Sequence, residues 1–271
     1  MTAAPLWQRV AGSEVVDLAH ALRRGIPASP NHPPFQFALQ RRHGDMVRDD
    51  GGSAANEIIV TGGHVGTHVD ALAHISQDGR LHGGLDAAEV TGNDGFTRLG
   101  IDEFPPFAGR GVLLDVAGVR GVDVLPAGEE VTPADLAAAE EAAGTAVGEG
   151  DAVLLRTGWS EHIAAPERFR GDRDGTPGPG EAAGSWLAAR GVSVVGGETI
   201  SFEAIQPWTG VRALPVHRQL LVDAGINIIE VMDLRGLAGR GLGAFTFLLA
   251  PLKIAGGTGA PARPLALIEP S

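Results

Sequence analysis

Eight short, turn-bounded runs rich in aliphatic residues constrain this chain most: EVVDL at 14–18, EIIV at 57–60, GVLLDV at 111–116, AVLLRT at 152–157, VSVVG at 192–196, INIIE at 226–230, FTFLLAPLKI at 245–254 and PLALI at 264–268. Their continuous apolar cores, bounded by turn residues, read as buried strands. Helical segments fall between them. TPADLAAAEEAAG has Thr132 as N-cap, Pro133 at the first helical position, Asp135 closing a capping box and Gly144 as the stop. GEAAGSWLAARG at 180–191 reads as a second helix, and PVHRQLLVDAG as a third, opened by Pro215 and ended by Gly225. Strands alternating with helices indicate an α/β fold. The front third is richer in strand and loop, and RFRGDRDGTPGPG at 168–180 reads as a surface loop. With no internal repeat and no clear linker, residues 1–271 are expected to form a single domain.

Composition removes several kinds of chemistry. The chain has no cysteine and no tyrosine, so thiolate nucleophiles, disulfides, Cys-ligated zinc and phenolic acids are excluded. Lys253 is the only lysine, which confines Schiff-base chemistry to that residue. A formal net charge of −12 disfavours nucleic acid and anionic lipid as partners, despite the small basic patch Arg41-Arg42-His43. The opening MTAAPLWQRVAGSEVVDL lacks a basic segment followed by an apolar run, and AFTFLLAPL is too short to span a bilayer. A soluble, cytoplasmic protein acting on a small molecule is expected.

Three of the nine histidines fall in GGHVGTHVDALAH at 62–74, as His64, His68 and His74, with Asp70 among them. Gly62, Gly63 and Gly66 make the approach a loop. Thr67 looks like an N-cap, which predicts a short helix from about His68 to Ile75 with Asp70 and His74 on one face. Asp70 then has two available roles, as capping residue or as cation ligand. A lone histidine is most often an ordinary core or surface residue; three beside a carboxylate in a glycine-framed stretch point to a shared ligand. The spacing is not that of HExxH zinc proteases. Farther on, His217 lies in the first turn of the third helix, and Glu230 ends INIIE on the face of Ile226 and Ile228, where a carboxylate needs a partner.

The stretch from His64 to His74 closely resembles the HxGTHxDxPxH signature of the cyclase family, whose members include kynurenine formamidases, isatin hydrolases and polyketide cyclases. Only Leu72 departs, where the family often has proline. The resemblance extends through VVDLAHALRRGIPASP, AVLLRTGW, ALPVHRQLLVDAGINIIEVMDL and FLLAPLKIAGGTGAPARPLALI; in GGETISFE, Glu198 stands where many relatives have Asp. It implies a swivelling β/β/α domain, dimeric or tetrameric. It also implies a first metal site of His64, His68 and Asp70, a second of His217 and Glu230 bridged by Asp70, and His74 as proton carrier. Zn²⁺ or Mn²⁺, one or two ions per chain, is the implied cofactor.

Nitrogen and carboxylate donors suit those ions. A bound divalent ion lowers the pKa of water to about 7 and polarises a carbonyl, while a histidine nearby supplies a leaving nitrogen with its proton. The expected activity is therefore metal-dependent hydrolysis of a C–N amide bond, in an aryl formamide or small cyclic amide. The alternative is a cyclase or dehydratase acting on a polyketide-like intermediate without net hydrolysis. No GxSxG elbow and no GxxxxGK[ST] loop competes. Trp208, in a loop before His217, is the candidate wall of an aromatic substrate pocket; His82 and His162 read as surface residues.

Overall fold

A computed structural model describes residues 5–269. Its centre is a nine-stranded mixed sheet. Numbered in chain order, the strands are β1 (Glu14–Asp17), β2 (His68–Asp70), β3 (Phe107–Asp115), β4 (Ala152–Arg156), β5 (Val194–Gly197), β6 (Asn227–Glu230), β7 (Ala244–Leu249), β8 (Gly259–Pro261) and β9 (Leu265–Ile268). Across the sheet they run β1-β9-β7-β3-β4-β5-β6-β2-β8. The four strands β3 to β6 are mutually parallel. They are joined by α1 (Pro133–Ala143), α2 (Glu181–Ala189) and α3 (Pro215–His217), which continues as a π-helical stretch over Arg218–Ala224.

Alternation explains why these strands read as unbroken apolar runs. Val112, Leu114, Val153, Leu155, Val195 and Ile228 face the helices and pack with Leu136, Leu187 and Leu220. Leu113, Leu154, Val194 and Ile229 face the other way, into a second core with Phe247, Leu249 and Ala266. A sheet covered on both faces has no polar side to show. The α1 cap forms as its sequence predicts: Thr132 and Asp135 exchange the capping-box bonds, Pro133 opens the helix, and Gly144 closes it at φ 60°.

Four expectations are corrected. EIIV is a strand, Asn56–Val60, but an exposed one, because it pairs only with Gln36–Arg41 in a hairpin outside the main sheet. The stretch 168–180 is not simply a surface loop: Phe169 is fully buried, and Gly178–Pro179 pairs in parallel with Glu130–Val131. His82 and His162 are half-buried. His82 bonds the Val222 carbonyl at 2.9 Å, and His162 meets the Trp159 ring edge-on at 4.8 Å. The fourth concerns β2, at the heart of the site. No helix among the described residues is long and apolar enough to cross a membrane.

Candidate metal centre

Residues His68–Asp70 form a buried strand, not the first turn of a helix. Two partners impose this: β2 is paired antiparallel to β6 on one side and to β8 on the other, and those ladders override the local capping signal. Thr67 is accordingly no N-cap; its hydroxyl donates to the Val231 carbonyl at 2.6 Å and accepts from the His20 amide at 2.9 Å. The two-residue period of a strand now does what a helical turn was expected to do. His68 and Asp70 point to one face, and Val69 turns into the core behind. The register sets His68 opposite Glu230 and Asp70 opposite Ile228, so both carboxylates and His68 share the helix-side face. His217 joins them from α3, and His74 follows in a turn closed by its amide on the Ala71 carbonyl at 2.9 Å.

The loop carrying His64 needs its glycines for room. A Cβ on Gly63 would lie 2.5 Å from the Gly259 carbonyl oxygen; Gly66 has φ +66° and sits against Leu22. Val231, directly after Glu230, takes φ 54°, a conformation that strains a β-branched residue. It is pinned by its amide on the Thr199 carbonyl and by the Thr67 hydroxyl.

Two donor triads result, His64–His68–Asp70 and Asp70–His217–Glu230, sharing Asp70, with the ligand atoms of each within 4.8 Å of one another. His64 Nδ1 lies 2.7 Å from Asp70 Oδ1, and His68 Nε2 lies 3.4 Å from both Asp70 Oδ1 and Glu230 Oε2. His217 Nε2 lies 3.1 Å from Glu230 Oε1 and 3.6 Å from Asp70 Oδ2. Donors around a tetrahedral zinc stand about 3.4 Å apart, given bonds of about 2.1 Å. The inward nitrogens are set from behind. His68 Nδ1 donates to the Gly66 carbonyl at 2.8 Å, and His217 Nδ1 meets Glu203 Oε1 at 2.7 Å, the backing that fixes the tautomer of metal-ligating histidines. His68 Nε2 and Asp70 Oδ2 are buried without a hydrogen-bond partner.

Electrostatics fits a cation here. Burial pushes Asp70 up, yet the imidazoles of His74, His217, His64 and His68 hold it well below the usual carboxylate range. Burial and Asp70 also push Glu230 up, and His217 and His68 outweigh them. Burial opposes charge on His68, but hydrogen bonds to Asp70 and Glu230 raise it to about 10. His217 is likewise raised against burial by Asp70, Glu203 and Glu230. Two buried carboxylates thus draw two protons onto the facing imidazoles, the charge one divalent cation would carry. These residues fit a metal ion.

All five sequence-predicted donors converge, with His74 alongside: its ring stacks on His64 at 4.0 Å. Trp208 does not join them. It is 74% exposed and lines a cavity of about 480 Å³ with Glu203, Arg212 and Pro215, which none of the five donors lines. Glu198 is not a donor either; it is fully buried, accepts from the amides of Thr157 and Gly158 at 2.7 and 2.6 Å, and braces the turn after β4. Leu72 packs against the helix-side core. Two residues were missed. Glu203 caps α3 through the amides of Val216 and His217 while holding the His217 ring; its position five residues after Glu198 carried no signal. His32, in PNHPPF, stacks on His64 at 4.7 Å, and only its residue type hinted at this.

Fold and site define a mixed α/β protein with a buried centre suited to a metal ion. Residues 16–204 match the profile of the family described as "Putative cyclase", and the chain belongs to that cyclase family. It is 29% identical over 272 aligned positions to the isatin hydrolase of Roseibium aggregatum, covering 94% of this chain and 92% of that protein. It is 28% identical over 242 positions to the kynurenine formamidase of Erythrobacter litoralis, covering 89% and 88%. A crystal structure of a novel cyclase superposes with a TM-score of 0.84 at 28% identity, covering 97% of this chain and 93% of that one.

Proposed function

We propose that this protein is a metal-dependent hydrolase that cleaves the C–N amide bond of an aryl formamide or a small cyclic amide. The observation that carries the reading is the pair of buried triads sharing Asp70, with a histidine beside them that no carboxylate holds in its charged form. The names of the related isatin hydrolase and kynurenine formamidase support the substrate class. His64, His68, Asp70, His217 and Glu230 would hold the metal, Zn²⁺ or Mn²⁺, as one or two ions per chain. A divalent ion bound there supplies a Lewis acid and an acidified water.

The chain's own groups handle orientation and the proton. Gly66 and Glu203 aim His68 Nε2 and His217 Nε2 inward. Burial, reinforced by His64 and His217 and opposed by Asp70 and Glu230, lowers His74 to about 4. Stacked on His64 beside the triads, His74 would accept the proton of the attacking water and pass it to the leaving nitrogen. An amide nitrogen needs that proton to depart as an amine.

The test is mass spectrometry of isatin, N-formylkynurenine and related lactams incubated with metal-loaded protein. A ring-opened product heavier by one water, or a formyl group released as formate, is expected. Inertness toward all of these, together with cyclisation of a linear polyketide-type substrate without added water, overturns the reading.

A further inference from the structure

Each histidine of the two triads has two ring nitrogens to satisfy. His68 and His217 turn Nε2 toward Asp70 and Glu230 and rest Nδ1 on the Gly66 carbonyl and the Glu203 carboxylate. His64 is turned the other way round. Its Nδ1 lies 2.7 Å from Asp70 Oδ1, and its Nε2 lies 2.9 Å from the Thr258 hydroxyl. That hydroxyl comes from 194 residues along the chain. Its place is fixed by main-chain bonds: the Thr258 carbonyl accepts the Ala71 amide at 2.9 Å, and the next residue, Gly259, stands opposite Asp70 in the β8–β2 ladder. Gly259 also leaves room for the imidazole, since a Cβ there would lie 2.6 Å from His64 Cε1. Thr258 thus directly precedes β8, Asp70 ends β2, and the His64 ring spans the two.

We propose that Thr258 is a positioning residue for the metal centre: its hydroxyl oxygen accepts the Nε2–H of His64 and leaves Nδ1 bare toward the ion. This rests on the metal-binding part of the reading above and not on the substrate class. An imidazole binds a cation only through an unprotonated nitrogen, and a neutral ring carries one proton. Holding that proton at Nε2 decides which nitrogen ligates. His64 then binds through Nδ1, whereas His68 and His217 bind through Nε2. A hydroxyl suits this place because it can both accept and donate, which the Gly66 carbonyl and an ionised Glu203 cannot. With the proton on Nδ1, facing Asp70, the hydroxyl donates to Nε2; with the proton on Nε2, it accepts. The ring is therefore satisfied with or without an ion.

The experiment compares the full chain with Thr258→Val, which keeps the branched shape and loses the hydroxyl, and Thr258→Ser, which keeps the hydroxyl and loses the methyl. Zn²⁺ affinity is measured by competition with a chromophoric chelator. Thr258→Val should bind zinc about 10–100-fold more weakly, the usual cost of losing such a partner, and Thr258→Ser should bind it as wild type does. A packing role alone predicts the reverse order, with valine tolerated and serine harmful. Nitrogen NMR of zinc-loaded protein labelled at histidine should find the His64 proton on Nε2 in wild type and in Thr258→Ser. Urea midpoints of the metal-free variants show that each folds; if Thr258→Val does not, Thr258→Ala replaces it under the same expectation. Equal zinc affinity in wild type and the hydroxyl-free variant, or a His64 proton on Nδ1 in the loaded protein, overturns the proposal. If wild type binds no divalent ion, the metal reading fails and the role of Thr258 with it. If wild type binds zinc but hydrolyses none of the amides named above, only the substrate class fails, and the affinities still decide the role of Thr258.

Discussion

His68 and His74 lie six residues apart beside the same carboxylates, yet their surroundings drive them in opposite directions. His68 sits inside the sheet, with Asp70 and Glu230 each 3.4 Å from its Nε2, and is raised to about 10. His74 sits outside the ladder, stacked on His64, and falls to about 4, burial outweighing its more distant carboxylates. Residue type does not decide which way each histidine is driven. Contact with Asp70 and Glu230 does; in the proposed function that difference separates a histidine that would hold a cation from one that would move a proton.

The largest expected effect comes from removing the carboxylate the triads share. Asp70→Ala should lose its metal through gel filtration and show no activity above background; full metal retention measured by elemental analysis would break the division between inner and outer histidines. His74→Ala should keep most of its metal while kcat falls by about 10²–10⁴, the usual range for a lost proton-transfer group. Should that variant lose metal as completely as Asp70→Ala, His74 belongs with the inner set.

Glu203→Gln tests the support behind the inner set. Losing the carboxylate at His217 Nδ1 should weaken metal binding by about 10–100-fold, measured by competition with a chromophoric chelator. Unchanged affinity would mean that the capped helix alone aims His217.

The smallest effect appears in metal-free protein, where the two histidines should leave opposite marks on stability against pH. His68 is raised to about 10 in the folded chain, against about 6.5 unfolded. Its contribution is therefore complete below about 6.5 and lost as pH rises through about 10. His74 is lowered to about 4, so its contribution is present above about 6.5 and lost as pH falls toward about 4. Urea midpoints of chelated protein should decline on both limbs. His68→Gln should flatten the alkaline limb, and His74→Ala the acid limb. If each variant leaves its own limb unchanged, the contrast fails.

The sequence by itself determined the parts of this protein that depend on nearby residues. The capping box of Thr132 and Asp135 formed as its spacing required. The central strands were legible because a sheet covered on both faces must be apolar on both. His64, His68 and Asp70 were legible as candidate donors because they occupy a seven-residue, glycine-framed stretch. Tertiary structure alone decided how those residues point. Pairing of His68–Asp70 with strands far along the chain turned a plausible helix start into a strand. The same register set Glu230 opposite His68. A loop after β5 delivered Glu203 to His217, and a proline-flanked turn delivered His32 to His64. Exposure of the 56–60 strand and of Trp208 was decided there too. The physical reason is range: caps and side-chain periodicity act within a few residues, whereas ladder pairing and burial are settled only when distant segments meet.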